Sequence, residues 1–141
     1  MTDLSKGIID VFGFEITRNT QPNEIEVALG DKIDANLCNK SKTVQGIYFK
    51  NVSILDRMYN LDVSFWDGKL KSIKLVCTSE TYPSYEERFS ADCKWFKSVL
   101  GEPTEEGKYG IVYEFEFVHV GASWWESDGR SGPDEYISIS Y

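Results

Sequence analysis

The stretch DRMYNLDVSFWDGKLKSIKLVCTS, residues 56–79, sets two alternating runs around an Asp67-Gly68 turn. Its register decides the fold, because side chains in a strand alternate faces and a slip of one residue turns every apolar group outward. A bare two-residue loop would pair Val63 with Ser72 and Asp62 with Ile73, mixing polar and apolar groups on both faces. With Lys69 drawn into a three-residue loop, Val63 faces Ile73, Leu61 faces Leu75 and Tyr59 faces Cys77, which gives one consistent apolar side. The stretch is therefore predicted to be an antiparallel hairpin with one buried face.

Working outward, GIYFKNV (46–52) turns Ile47 and Phe49 inward against Tyr48 and Lys50, a third strand. YGIVYEFEFVHV (109–120) reads as one long strand with Ile111, Tyr113, Phe115 and Phe117 on one parity and Glu114 and Glu116 on the other. SWWE and EYISISY complete the set, joined through the turn-forming run SDGRSGPD. Two helices are predicted. The first is capped by Thr20, opens with Pro22, Asn23 and Glu24, carries an Ile25, Ala28 and Leu29 stripe and closes on a left-handed Gly30. In PSYEERF, Ser84 and Glu87 form a capping box for the second. Phe89, Cys93, Phe96 and Leu100 share one of its faces until Gly101 and Pro103 end it. The opening LSKGIIDVFGF is divided, since Gly7, Ile8 and Ile9 weaken a helix while Phe12, Phe14 and Ile16 alternate as a strand would.

EIEVALGDKID and WFKSVLGEPTE share an apolar face ending in Leu-Gly, and each precedes aromatic-rich strands. This is a weak internal repeat with halves 12–78 and 84–141. The residues Glu24 to Gly30 and Trp95 to Pro103, with Trp124 or Trp125 and Ile137, give the chain a form that resembles the helix-plus-sheet modules of the beta-lactamase inhibitor protein and of the SmpA/OmlA-type small lipoproteins. The lipobox cysteine of those lipoproteins has no counterpart near the start of this sequence. The resemblance implies binding through a sheet face or its loops, without catalysis. The expected fold is α+β: mainly antiparallel sheet, short helices on one face, in a single domain spanning 1–141.

At 141 residues and 41% hydrophobic content, one core is the natural size. A net charge of −8 with scattered lysines argues against a nucleic-acid partner, whose phosphates need clustered cations. No apolar run reaches membrane-span length and no secretory signal is legible, so a cytoplasmic, non-membrane protein is expected. Cys38, Cys77 and Cys93 lack the spacing of a zinc clip and read as reduced thiols. No metal and no cofactor is expected.

Chemistry concentrates in HVGASWWESDGRSGPDEY (119–136). His119 sits on the inward parity at a strand end, with Glu126, Asp128 and Asp134 as conceivable partners in proton transfer. Ser123 and Ser127 lack a nucleophile-elbow context, and the acidic turn lacks calcium-loop spacing. Trp124 and Trp125 are adjacent on a strand, so one faces the core and one is free. With Glu126, Asp128, Arg130 and Asp134 they have the composition of a recognition surface, and Trp66 at the hairpin turn obeys the same two-face logic. The reading is a non-enzymatic protein-binding module for a basic partner, of the bacterial inhibitor or immunity type directed at a nuclease-like toxin. Two alternatives stand beside it. One is a small-ligand protein or minor enzyme with a pocket of Phe115, Phe117, a tryptophan, Tyr113, Glu126 and His119. The other is a homodimer formed through an exposed strand edge.

Overall fold

The structure, a computed structural model, describes residues 1–126 and 132–141. A two-stranded hairpin, β1 (Ile9–Val11) and β2 (Phe14–Ile16), leads into α1 (Pro22–Leu29). Then follow β3 (Asn39–Lys40), β4 (Val44–Ile54), β5 (Arg57–Trp66) and β6 (Lys69–Cys77). The long helix α2 (Tyr85–Leu100) precedes β7 (Glu105–Glu106), β8 (Gly110–Glu114), β9 (His119–Trp125) and β10 (Asp134–Ser140). Strands β3 to β10 form one antiparallel sheet in the order β3-β4-β5-β6-β10-β9-β8-β7. The fold is α+β, as the patterning required.

The β5–β6 register is the one deduced from the apolar parity: Val63 opposite Ile73, Leu61 opposite Leu75, Tyr59 opposite Cys77. The loop differs. Trp66 pairs with Lys69 across a two-residue Asp67-Gly68 turn, whose φ values of 51° and 77° are the left-handed pair that such a turn needs. The extra residue lies beyond it, as a bulge between the Ser64–Ser72 and Phe65–Leu70 pairs. The bulge turns Lys71 to solvent and returns Leu70 to the core. Turn chemistry and core parity are thus both satisfied without the expected three-residue loop. Strand β4 adds Ile47 and Phe49 opposite Val63 and Leu61. On the other side β10 sets Ile137 against Leu75 and Ile139 against Ile73.

The run 109–120 is not one strand. Strand β8 stops at Glu114, the chain turns through residues 115–118 with the Phe115 amide donating to the Val118 carbonyl (2.9 Å), and β9 returns beside it. Val118 is buried and Phe117 is 56% exposed, so Glu114 and Glu116 do not share a strand face. This turn contains no glycine, proline, asparagine or aspartate, and its residues continue the polar-apolar alternation, which hid the reversal.

Helix α2 spans the expected residues: Ser84 accepts the Glu87 amide at 3.1 Å, without the return bond from the Glu87 side chain that a full capping box would add, Phe89, Cys93 and Phe96 are buried with Leu100 half-buried, and the Gly101 amide caps the Lys97 carbonyl. It packs on β9 and β10. Helix α1 differs at both ends. Its cap is Gln21, whose amide donates to Glu24 (3.0 Å), while buried Thr20 accepts the Thr17 amide instead. Gly30 stays right-handed and continues into a short 3-10 turn, and Ala28 is exposed, leaving Ile25 and Leu29 as the apolar contacts. The opening segment forms the β1–β2 hairpin with Phe12 at its turn (φ 50°) and Ile9, Val11 and Ile16 in the core. Buried side chains from Leu4 to Ile139 form one continuous core. No helix among the described residues is long and apolar enough to cross a membrane.

Gly121 lies where β9 approaches β8, and a Cβ there would collide with the Ile111 carbonyl oxygen. Gly121→Ala is expected to cost about 1–3 kcal/mol in urea unfolding, against no more than about 0.5 for Gly107→Ala, whose Cβ position is open.

Candidate functional site

At the end of the sheet where β6 runs out, residues 78–84 cross to α2 beside the junction of β9 and β10. The crossing leaves a cleft of about 940 Å³ whose walls include Tyr82, Tyr85, Arg88, Trp124 and Trp125. Glu80, Glu86 and Glu126, all exposed, stand at its mouth. Volumes of this order receive side chains or small ligands, and rings supply most of the contact energy in such places.

The two tryptophans divide between the faces of β9 as adjacency demands. Trp124 is 6% exposed, donates its indole N–H to the Lys108 carbonyl (2.8 Å) and packs on Tyr109 at 5.0 Å. It is a core residue showing one edge to the cleft. Trp125 is half-buried on the opposite face, donates to the Gly132 carbonyl (3.2 Å) and meets Tyr136 edge-on. Asp134 lies between Lys74 (3.7 Å) and Arg88 (3.9 Å).

The remaining expected site residues do not gather here. His119 begins β9 and is exposed beside Ser140, so six residues, roughly 20 Å of strand, separate it from Trp125. Tyr113 is buried with its hydroxyl on the Gly101 carbonyl (2.7 Å), and Phe117 points to solvent. The pocket of His119, Tyr113, Glu126, Phe115 and Phe117 is therefore not assembled, because the 115–118 turn places His119 and Phe117 at the far end of the sheet. Trp66, 55% exposed, is at that far end too. Ser127, Asp128 and Arg130 lie outside the described residues.

Behind the cleft is a polar cluster that pattern reading passed over. Arg88 donates from Nε to the Glu135 carboxylate and from its terminal nitrogen to the Glu135 carbonyl. Arg57 donates to Asp92 (2.8 Å) and to the Tyr59 hydroxyl (3.1 Å), with the Tyr59 and Trp95 rings 5.4 and 5.3 Å from its guanidinium carbon. Asp92 and Glu135 are 1% and 0% exposed. One oxygen of each, Asp92 Oδ2 and Glu135 Oε1, has no donor among the described residues. Burial, and then the facing Asp92, push the Glu135 carboxyl up to about 9 against the pull of Arg88. A proton on Glu135 makes it a donor to Asp92, so one hydrogen satisfies both orphaned oxygens. The cluster ties α2 to β5 and β10, and thereby fixes the cleft wall. Its signals were present: Glu135 continues the inward parity of Ile137 and Ile139, and Asp92 falls three residues after Phe89 and four before Phe96.

No family model, curated protein or solved structure matches the chain.

Two predictions follow from the cluster. An unfolded glutamate gives up its proton near pH 4.5 while native Glu135 keeps it to about 9, so this group's stabilising contribution is full in acid and declines as pH rises between those values. Glu135→Gln cannot ionise, so its urea midpoint should gain on wild type steadily from pH 5 to about 9; parallel profiles would contradict the shared proton. Arg88→Ala, by removing the two donors to the Glu135 carboxyl and carbonyl while Lys74 stays beside Asp134, is expected to cost about 1–3 kcal/mol at neutral pH in the same assay.

Proposed function

We propose that the protein is a non-enzymatic binding module that grips a basic protein partner in the cleft between the 78–84 crossing, α2 and the end of β9. The carrying observation is the pairing of aromatic walls, Tyr82, Tyr85 and Trp125, with carboxylates Glu80, Glu86 and Glu126 at the mouth. Cations are attracted to ring faces and to carboxylates alike, so a lysine or arginine of the partner meets both in one place. The chain's net charge of −8 adds long-range attraction for a basic partner. Inhibition of a basic, nuclease-like enzyme, as an immunity protein performs it, suits a module of this size and charge. Three free thiols, two of them buried, support action in a reducing, cytoplasmic setting. A small cationic ligand is the second reading, carried by the cleft volume.

Capture from lysate of the source cell at low salt should retain proteins of basic pI, released at moderate salt. Trp125→Ala and Tyr82→Ala should each weaken capture by roughly 1–3 kcal/mol without lowering stability as Trp124→Ala would. Retention unchanged by salt and by both substitutions would sink the reading, and binding of quaternary ammonium compounds but no protein would favour the small-ligand alternative.

A further inference from the structure

The far end of the sheet has the opposite chemistry. Where β6 begins, β10 ends and the β8–β9 turn projects, a second concavity of about 600 Å³ is lined by Arg18, Trp66, Lys69, Lys71, Phe117 and Tyr141, among others, with no aspartate or glutamate in its lining. In a chain carrying 23 acidic against 15 basic residues, this is a local reversal of charge. Among the described residues, none of the three cations makes an ion pair. Each of two rests over an exposed ring: the Arg18 guanidinium 4.1 Å from the Phe117 centroid, the Lys71 ammonium 5.9 Å from that of Trp66.

The chain goes to some length to place these groups. The β-bulge aims Lys71 outward, and the Asp67-Gly68 turn holds Trp66 at the rim. Arg18 is presented by a turn closed by the Thr20 amide on the Thr17 carbonyl (3.0 Å) and by the Thr17 amide on the buried Thr20 hydroxyl (2.9 Å). Phe117 and Trp66, each more than half exposed, are the kind of rings a partner covers.

We infer that this concavity is a second docking site, for an acidic peptide segment of a partner protein, with its carboxylates on Arg18, Lys69 and Lys71 and an aromatic anchor against Trp66 and Phe117. It is independent of the cleft at the other end. The nine residues of β6 put roughly 25 Å between the two, beyond the ~8 Å screening length at physiological salt, so the carboxylates at the mouth of the cleft do not reach it. Three cations match two or three carboxylates. A nucleic-acid strand, with a charge at every phosphate, would find few partners here and repulsion elsewhere.

The test is fluorescence polarisation at about 50 mM salt with a fluorescein-labelled peptide of four glutamates around one tryptophan, alongside the same peptide with glutamine for each glutamate. The expected result is saturable binding of the first only, weakened about tenfold or more by Lys71→Glu and by Lys69→Glu, and unchanged by Tyr82→Ala at the opposite cleft. All three substituted side chains leave the core intact, and circular dichroism verifies folding of each variant. Absence of saturable binding by the folded wild type up to about 1 mM, or equal affinity in both charge variants, would overturn the proposal. So would tighter binding of labelled oligothymidylate, which would reassign the site to single-stranded nucleic acid. A concentration-dependent mass abolished by Lys71→Glu would instead assign it to a second copy of this chain.

Discussion

The antiparallel pairing of β6 with β10 is the contact on which the architecture depends. It joins the four strands that follow α1 to the four that follow α2, through Ile73, Leu75, Ile137 and Ile139, all buried. Because β10 in turn pairs with β9, the same register fixes what stands at each end of the sheet. At one end Cys77 and Asp134 hand over to the α2 crossing and the tryptophan pair; at the other Lys69 and Ser140 meet the β8–β9 turn. A slip of one residue would exchange the faces of β10 and expel Glu135 from its arginine while burying Tyr136.

That geometry makes the two ends chemically unlike. The first gathers tyrosines, tryptophans and carboxylates around a cleft, while the second gathers lysines and an arginine around two exposed rings. The sheet between them holds these two groups of side chains apart. Behind the first site, the Arg57–Asp92–Glu135–Arg88 cluster is an unusual core feature. Replacing such groups with apolar ones is often neutral for stability, so their presence here is better understood as fixing the position of α2 than as adding strength.

The sequence pattern carried the α+β class, the β5–β6 register and the whole of α2, because long runs bury one face and the apolar period is then unambiguous. It failed where a local signal was missing or misleading. The 115–118 turn has no turn residue, so alternation ran straight through it and sent His119 to the wrong place. The β5–β6 turn misleads in the opposite sense: parity counting points to a three-residue loop because it does not see the bulge beyond the two-residue turn. Trp124 and Trp125 were divided correctly between faces, but which one was core depended on the true start of β9. The polar cluster escapes an apolar period, because Asp92 and Glu135 stand at inward positions where that period expects apolar side chains.

We propose that opposite ends of one sheet receive partners of opposite charge. Four indole N–H signals in a two-dimensional proton–nitrogen spectrum read it directly, with Trp95, bonded to Asp56 at 2.8 Å, as the internal control and Trp124 as a partial one. Titration with a lysine-rich peptide should shift the Trp125 signal and leave Trp66 in place, and titration with the glutamate peptide should do the reverse. Shifts of both signals by either peptide alone, or of neither by both, would contradict the account.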